Sequence, residues 1–299
     1  MFRIGFLGLG MMGLPMARRL AEHGHQLTLL DPATHRVEAL LAGCPLTRAA
    51  SGISDIAAEC GIVITCLPDA AAVEATYLTG ASPLASLARP GTITIDHSTT
   101  SPELARRIHH AAADHGVLHL EAPLFGGVRE AAEGQLFLAL SGSDAVRPSQ
   151  ELLPAIREIA QTVARGWQWV GGPGTAATVK VLQNGLGLVQ LAAMGEVAAA
   201  CRTLNLDPQM FYALVNDAGG MAATPLFRER FPRMMAPQAA EARLAIGAKD
   251  AKLYRDLIQA ISSFSPAAAS AAAYGRAIAI GLEDADVTTV WEVFTQTSA

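Results

Sequence analysis

The sequence is poor in charged side chains, and above all in lysine. Only 16% of its 299 residues are Asp, Glu, Lys or Arg, and three lysines stand against nineteen arginines. The net charge is −5 and no more than two basic residues occur in a row, which argues against nucleic acid or an anionic membrane surface as a partner. A hydrophobic fraction of 51% over this length predicts one large or two ordinary compact domains.

The sequence also lacks the patterns of secreted and membrane proteins. Its four cysteines show no CxxC spacing, which indicates small core residues in a reducing cytosol. The apolar stretch 185–201 is interrupted by Glu196, and the N-terminal apolar stretch carries its basic residues after the apolar part, unlike a signal peptide. We therefore expect a soluble, cytoplasmic protein with no membrane partner.

What the first half does contain is a regular alternation of short apolar runs and helical stretches. The apolar runs, in chain order, are RIGFLGLG, QLTLLD, GIVITCLP, TITIDHS, VLHLEAP and QLFLALSG. Strands separated by helices of about ten to fifteen residues form βαβ units and a mostly parallel sheet that is covered on both faces. The link between the last two runs is shorter, so we expect these two strands to pair antiparallel.

The second half shows helical periodicity instead. Segments rich in Ala, Leu and Met cover residues 175–204, 208–218, 239–260 and 266–282. The GGPG sequence at 171–174 marks a hinge and the start of a helix. The sequence therefore predicts an α/β domain over residues 1–165 and an all-α domain over residues 166–299.

A glycine-rich loop joins the first predicted strand to the first predicted helix. In its Gly8-x-Gly10-x-x-Gly13 spacing, the glycines allow a tight turn, a close approach to a pyrophosphate and close packing of helix on strand. The next strand ends at Asp31, eighteen residues after Gly13, where a carboxylate binds ribose hydroxyls and repels a 2′-phosphate. The nearest following arginine, Arg36, comes only after four intervening residues. A Rossmann-type domain is predicted, with NAD favoured over NADP as cofactor.

Lys180 stands out because lysine is scarce and its neighbours are apolar. In a helix that starts near residue 175, one narrow face carries the polar or small residues Lys180, Gln183, Asn184 and Gly187. Burial lowers the pKa of a lysine toward the working range whereas arginine stays charged, so a lysine kept here suits proton transfer. Asn184, one turn on, can orient the lysine or bind substrate. The alternative is a surface lysine whose stem covers an amphipathic helix.

Several of these motifs occur together in one known family. The sequence resembles the β-hydroxyacid dehydrogenase family, which includes 3-hydroxyisobutyrate dehydrogenase and tartronate semialdehyde reductase. The resemblance extends over nearly the whole chain and rests on the blocks GFLGLGMMGLPMARRL (5–20), EAPLFGGVREAAEG (121–134), GPGTAATVKVLQN (172–184) and GAKDAKL (247–253), with DHSTTSP (96–102) as a weaker fifth.

The resemblance implies a role for each matching residue. Lys180 is the expected catalytic acid and base for a hydride transfer between a 3-hydroxy acid and a nicotinamide. The expected cofactor-binding residues are Gly8, Leu9, Gly10, Met11, Met12, Gly13, Asp31, Leu67, Pro68, Ala72, Thr99 and Lys249. The expected substrate-binding residues are Ser98, Phe125, Gly126, Gly127, Lys180 and Asn184, with the two glycines presenting backbone N–H groups to a carboxylate. Similar proteins are dimers or tetramers that associate through their helical domains.

Phe125 departs from the family pattern, which usually has a serine before the two glycines. Loss of the hydroxyl removes a hydrogen bond to the substrate carboxylate, and the aromatic ring adds apolar surface. We therefore expect a preference for a larger or less polar 3-hydroxy acid. The alternative is that Phe125 packs away from the site and contributes only its backbone.

Three other interpretations remain beside this one. His109, His110, His115 and His119, with Glu121, could be taken for a metal site, but the pair at HxxxH spacing, His115 and His119, straddles the predicted helix-to-strand turn, and the group fits a solvated helix end better; no metal is expected. A non-catalytic dinucleotide-binding protein would have no use for Lys180 and Asn184. Imine reductases of related fold usually carry a different residue at the lysine position, so Lys180 also disfavours that activity.

Overall fold

The chain forms two compact units. The computed structural model describes residues 1–147, 151–236, 239–261 and 265–295. The units are Met1–Lys180 and Val181–Ala299. This division differs from the predicted boundary at 165/166, because the strand that begins at Ala164 joins the sheet of the first unit. The predicted order, a Rossmann-type α/β unit followed by helices, is confirmed.

A single mixed sheet is the centre of the first unit. Within the described part of this unit it has nine strands: β1 Arg3–Leu7, β2 Gln26–Leu30, β3 Thr47–Ala49, β4 Ile62–Thr65, β5 Ile93–Asp96, β6 Leu118–Glu121, β7 Leu124–Phe125, β8 Leu136–Gly142 and β9 Ala164–Gly171. Their order is β3-β2-β1-β4-β5-β6-β8-β7, and β9 also pairs with β8. The strands from β3 to β6 are parallel, whereas β6 and β8 are antiparallel, as predicted for the last two apolar runs.

Helices cover both faces of this sheet. They are α1 Gly13–Glu22, α2 Thr34–Leu41, α3 Ile53–Glu59, α4 Ala70–Glu74, α5 Leu84–Leu87, α6 Pro102–Asp114, α7 Val128–Glu133 and α8 Pro154–Val163, and a π-helix, Ala75–Thr79, continues α4. On β4, Ile62 and Ile64 pack into one hydrophobic cluster and Val63 into another. Because alternate residues of a strand point to opposite faces, this central strand carries apolar side chains at three successive positions before it ends at Thr65.

The second unit consists of helices. The long helix α9, Thr175–Thr203, begins in the first unit, and α10 Pro208–Ala218, α11 Pro225–Met235, α12 Leu244–Gln259, α13 Pro266–Ala279 and a 3₁₀ helix, Val287–Phe294, follow. Their common core includes the fully buried rings of Phe231 and Tyr274. A Cβ on Gly185 would lie 2.0 Å from Cγ of Tyr254, so glycine is required where the Tyr254 ring of α12 lies against α9.

Helix α11 and the final 3₁₀ helix were not predicted from the sequence. Pro232 lies inside α11, and an internal proline usually argues against a helix because it removes one backbone hydrogen bond. The helix forms because Thr224 caps it, with Oγ1 accepting the Phe227 N–H at 3.1 Å, and because Phe227 and Phe231 are buried. Among all described residues, no helix is long and apolar enough to cross a bilayer.

Candidate active site

The glycine loop between β1 and α1 has the shape that a pyrophosphate requires. Gly8 has a φ of +93°, and a Cβ there would lie 2.3 Å from the Cys66 carbonyl oxygen. A Cβ on Gly13 would lie 1.9 Å from the Gly8 carbonyl oxygen. Above Gly10 the described chain leaves open space within 4 Å of such a Cβ, and no described side chain caps α1. The helix start therefore offers N–H groups and a positive dipole end to an anion.

Asp31 follows β2 and is buried beside this loop. Its Oδ2 accepts the Leu9 N–H at 2.6 Å, and its Oδ1 accepts the Ala33 N–H at 2.8 Å. Arg36 Nη1 lies 3.5 Å from Oδ1, so this arginine reaches back to the carboxylate. A carboxylate has about four acceptor positions, so Asp31 can hold the glycine loop through Leu9 and still accept from a ribose hydroxyl.

A cavity of about 460 Å³ opens against the same loop. Leu9, Gly10 and Met11 line it from the loop, Arg18 lines it from α1 and Arg36 from α2. The loop, the open helix start and the cavity together fit a dinucleotide with its phosphates at α1. The fold thus brings together the predicted cofactor residues of the first loop, namely Gly8, Leu9, Gly10, Met11, Met12, Gly13 and Asp31.

The loops that follow β4 and β5 are joined by a buried polar network. The Leu67 N–H donates to Ser98 Oγ at 2.9 Å, and the Ser98 N–H donates to Asp96 Oδ1 at 3.0 Å. Thr65 Oγ1 donates to the same Oδ1 at 2.8 Å and lies 2.9 Å from the Tyr77 hydroxyl. The predicted site residues Leu67 and Ser98 are therefore neighbours at the carboxyl ends of adjacent strands.

The remaining predicted cofactor residues of the first unit flank this network. Pro68 and Thr99 continue the same two loops, and Ala72 lies in the first turn of α4, where its N–H donates to Asp69 Oδ1 at 2.8 Å. The supporting residues Thr65 and Asp96 were not among the predicted site residues. Their position as polar side chains at the ends of buried strands could have indicated them, because ligands of α/β sheets bind at that edge.

The two glycines after β7 form a loop that is already hydrogen-bonded internally. Gly126 has a φ of +127°, and the Gly127 N–H donates to Glu130 Oε2 at 2.8 Å. The expectation that Gly127 presents this N–H to a substrate carboxylate is therefore not met in this structure, because Glu130 of α7 accepts it. That hydrogen bond, followed by those from Arg129, lowers the pKa of Glu130, so the carboxyl stays ionised.

Side chains from β6 and β8 hold the beginning of α9. Glu121 accepts the Gly174 N–H at 2.5 Å and the Ala177 N–H at 3.2 Å, and Ser141 Oγ accepts the Ala176 N–H at 3.0 Å. Burial raises the pKa of Glu121, and the hydrogen bonds from the helix oppose that rise. Glu121 and Ser141 were not among the predicted dinucleotide- or substrate-site residues. Glu121 could have been recognised, because it is an acid at the end of a strand shortly before the double-glycine loop.

Lys180 lies in the second turn of α9 and is half-buried. Its Nζ is 4.9 Å from the centroid of the Phe125 ring, within the range over which a cation is attracted to an aromatic face. Phe125 is itself positioned by antiparallel pairing with Phe137 of β8. The Phe125 ring therefore lies against the Lys180 ammonium, and its part in substrate binding remains a prediction.

Asn184 belongs to a polar group of the second unit. Its Nδ2 donates to Asp250 Oδ2 at 2.7 Å, and Lys249 Nζ lies 3.1 Å from Asp250 Oδ1. Asp250 is buried, so its carboxylate orients both the amide and the lysine. Lys180 and Asn184 lie one turn apart on α9, as the sequence predicted. The binding roles of Asn184 and Lys249 remain predictions.

The histidines differ from the predicted solvated helix end. His119 lies buried on β6 with its Nδ1 2.9 Å from Thr94 Oγ1, and His97 Nδ1 lies 2.6 Å from the Ala122 carbonyl oxygen. Burial lowers the pKa of His97 to about 4 and that of His119 to about 3. The prediction was therefore wrong for His119, because strand β6 carries it into the core, whereas His115 is exposed. Among the described residues, no three His, Cys, Asp or Glu side chains gather as metal ligands would.

Two family models together match almost the whole chain. Residues 3–171 match the NAD-binding domain of 6-phosphogluconate dehydrogenase. Residues 174–294 match a domain described as the NAD-binding of NADP-dependent 3-hydroxyisobutyrate dehydrogenase. The first match begins and ends with the sheet of the first unit, and the second covers α9 and the helices after it.

Individual relatives agree with these models. The chain is 33% identical to a Mycobacterium tuberculosis protein named "Probable 3-hydroxyisobutyrate dehydrogenase", over 74% of this chain and 71% of the relative. It is 30% identical to the NAD-dependent L-serine dehydrogenase of Pseudomonas aeruginosa, over 99% of both chains. A solved structure of Mycobacterium tuberculosis 3-hydroxyisobutyrate dehydrogenase with L-serine matches with a TM-score of 0.82 and 27% identity, covering 99% of this chain and 100% of that one. The chain therefore belongs to the β-hydroxyacid dehydrogenase family and is an NAD(P)-dependent oxidoreductase that acts on the CH–OH group of a hydroxy acid.

Proposed function

We propose that this chain uses NAD to interconvert a 3-hydroxy acid and the corresponding semialdehyde or keto acid, with Lys180 as general acid and base. The observation that carries the proposal is the contact of the Lys180 ammonium with the ring of Phe125, directly before Gly126 and Gly127. The relatives named for 3-hydroxyisobutyrate and L-serine support the substrate class, because both compounds carry a hydroxyl on the carbon β to a carboxylate.

In this proposal Lys180 moves the hydroxyl proton. The nicotinamide cofactor, when bound, accepts or supplies the hydride. During oxidation the neutral Lys180 amine accepts the proton of the substrate hydroxyl, and during reduction the ammonium returns a proton to that oxygen. Asn184 binds substrate one helical turn away. The Gly126 N–H contacts the substrate carboxylate, and the Gly127 N–H does so only after Glu130 releases it.

The choice of NAD over NADP rests on Asp31. Its buried carboxylate lies at the position of the ribose ligand, and a second negative charge from a 2′-phosphate would be repelled there. Arg36 is 41% exposed, and its guanidinium is paired with the Asp31 carboxylate. The full-length relative from Pseudomonas aeruginosa is named as NAD-dependent, which agrees with this choice.

We also propose that the chain forms a homodimer or homotetramer in a reducing cytoplasm. None of the residues of α10 is buried within the single chain, although that helix contains Met210 and Leu214. The four cysteines, all within the described part of the chain, form no disulfide, and Cys44, Cys60 and Cys201 are buried, as expected of a protein that needs no disulfide.

A substrate panel with a lysine variant tests the function. Wild-type protein, Lys180→Met and the control Lys252→Met, which changes an exposed lysine of α12, would each be assayed at the nicotinamide absorbance. The panel contains L-serine, 3-hydroxyisobutyrate and a bulkier 3-hydroxy acid, with 2-hydroxy acids and cyclic imines for comparison. Because a positioned acid and base contributes about 100- to 10,000-fold, Lys180→Met should lose that much kcat while its affinity for NADH, measured by fluorescence, stays the same.

The panel also separates the alternatives. Apolar surface at Phe125 should favour the bulkier 3-hydroxy acid over L-serine. Lys180→Met with more than a tenth of the wild-type kcat would contradict the role of the lysine. Turnover of imines in the absence of any 3-hydroxy acid activity would replace the proposed function with imine reduction.

A further inference from the structure

The contact between Phe125 and Lys180 joins two parts of the first unit that are each held in place. Phe125 is fixed by its pairing with Phe137 in the β7–β8 ladder. The first turn of α9 is fixed by Glu121 and Ser141, which accept its N–H groups. The distance of 4.9 Å between Lys180 Nζ and the ring centroid is therefore built into the fold of this unit.

The neighbouring elements of this unit also carry charged groups. Glu121 at the end of β6 is bonded to the start of α9, and Glu130 in α7 is bonded to Gly127 and to Arg129. Asp96 at the end of β5 accepts from Thr65 and Ser98. His97 and His119, whose pKa values burial lowers to about 4 and about 3, are neutral near pH 7. None of these groups is altered when the Phe125 ring alone is replaced, so a substitution of the ring isolates its effect.

We propose that Phe125 is a positioning residue that holds Lys180 in its protonated form through the face of its ring, and so adapts the enzyme to the reduction of a carbonyl substrate. An aromatic face attracts an ammonium but not a neutral amine. A bound nicotinamide would supply the hydride to the carbonyl carbon; the C=O electron pair then resides on the oxygen, and Lys180 Nζ gives that oxygen a proton and becomes a neutral amine. This inference rests on the proposed role of Lys180 and adds that the enzyme is adapted to the reductive direction of the reaction.

The Phe125 ring should raise the pH midpoints of both reduction and oxidation. Because the ring favours the protonated amine, Lys180 keeps its proton to a higher pH than it would beside an aliphatic side chain. Reduction, which needs the ammonium, should persist to higher pH, and oxidation, which needs the neutral amine, should begin only at higher pH. Phe125→Leu keeps an apolar side chain but removes the ring face, so both pH midpoints should move down by about 0.5 to 1.5 pH units.

The small number of lysines allows this titration to be observed without any assay of activity. The chain has three lysines, Lys180, Lys249 and Lys252, so isotope-labelled lysine gives three side-chain NMR signals that Lys→Met variants assign. In Phe125→Leu the midpoint of the Lys180 signal should fall by about 0.5 to 1.5 pH units. The other two signals serve as internal references and should not move.

Two further variants complete the experiment. Phe125→Tyr keeps the ring and should leave the midpoint within about 0.3 of a pH unit of wild type. Phe137→Leu is the matched control, because it makes the same substitution at the residue paired with Phe125 and should leave the Lys180 signal in place. An equal shift in Phe137→Leu would mean that loosening of the strands, rather than the ring, is responsible, and would overturn the inference.

The NMR and kinetic results distinguish failure of this inference from failure of the proposed function. A Lys180 signal that does not move in Phe125→Leu overturns the inference and leaves the proposed function intact. A signal that moves while the pH–rate profiles for reduction and oxidation stay unchanged shows that Lys180 is not the proton donor, and overturns the reductive adaptation with it. Matching shifts in the signal and in both profiles support the proposal.

Discussion

Asp31 holds the glycine loop through the Leu9 N–H, and it is also the residue proposed to select NAD. Wild-type kcat/KM should favour NAD over NADP by at least about tenfold, equivalent to about 1.4 kcal/mol, because ribose binding and phosphate repulsion act in the same direction. Asp31→Ser should narrow this ratio. It should also lower kcat/KM for both cofactors, because the Leu9 N–H loses the carboxylate that accepts it at 2.6 Å. Steady-state kinetics with both cofactors measure both effects.

Arg36→Gln is the control for this prediction. It removes the other side chain at the same carboxylate without changing the hydrogen bond to the glycine loop. Since exposed ion pairs contribute only about 0–1 kcal/mol, kcat/KM for NAD should change by no more than about fivefold. A wild-type enzyme that prefers NADP, and loses that preference in Arg36→Gln, would instead assign the arginine to the 2′-phosphate.

At the scale of residues, sequence spacing could predict only what is local. The glycine loop and Asp31 lie within one βαβ unit, so their spacing in the chain fixed their arrangement in space. Phe125 and Lys180 lie on separate elements far apart in the chain, and no periodicity could reveal that ring and ammonium touch. The hydrogen bond from the Gly127 N–H to Glu130 was also not predicted, although the two residues are only three positions apart, because the capping role depends on where α7 begins.

Among the elements, α9 depends most clearly on side chains from other parts of the chain. Glu121→Ala would leave the Gly174 and Ala177 N–H groups buried without an acceptor. At about 1–3 kcal/mol for each of the two groups, the free energy of unfolding should fall by about 2–6 kcal/mol. Because the same helix carries Lys180 one turn later, kcat should fall too. Urea unfolding and steady-state kinetics on the same samples measure the two effects.

Ser101→Ala provides the matched control for this helix start. Ser101 caps α6 by accepting the Leu104 N–H at 3.2 Å, so its loss should cost about 0.5–2 kcal/mol of stability without lowering kcat. A kcat that falls equally in Ser101→Ala would contradict the specific role of Glu121.

The Glu121 carboxyl also predicts a dependence of stability on pH. Burial raises the pKa of Glu121 above its value of 4.5 in the unfolded chain, so the free energy of unfolding falls as pH rises from the unfolded value to the raised one. The stability of wild type relative to Glu121→Gln, measured by urea unfolding, should therefore increase as pH falls toward 4.5.

Element type could be predicted where periodicity was undisturbed, and not elsewhere. Parallel strands such as β4 are continuous apolar runs that end at a polar residue and alternate with helices, so the sequence pattern predicts them directly. Helix α11 carries an internal proline, and only the burial of Phe227 and Phe231 outweighs that penalty. Strand β9 falls almost wholly in the segment predicted to be all-α, because nothing local indicates that it pairs with β8.

For the whole molecule, the exposed apolar residues of the second unit predict self-association. Leu204 is 68% and Leu214 61% exposed in the single chain, and Met210 lies one helical turn before Leu214 on α10. Burying apolar surface of this kind stabilises an assembly by about 25 cal/mol per Å². Light scattering coupled to gel filtration should therefore give two or four times the chain mass of 31.2 kDa.

A surface charge at α10 tests where that association takes place. Leu214→Glu should shift the protein toward the monomer, because a carboxylate in an apolar contact is costly to desolvate. Leu87→Glu makes the same substitution at a leucine of α5 that is 41% exposed, and it should leave the mass unchanged. A wild-type monomer, or an assembly that is indifferent to Leu214→Glu, would contradict the prediction.

The placement of the three lysines also decides how this enzyme can be attached to a support. Lys180 and Lys249 are half-buried, the first against the Phe125 ring and the second against Asp250, whereas Lys252 is exposed on α12. Reagents that couple to amines would therefore react with Lys252 in preference to the other two lysine side chains. Immobilisation through lysine would hold each chain by Lys252 on the second unit, and would leave the Lys180 amine, the proposed acid and base, unmodified.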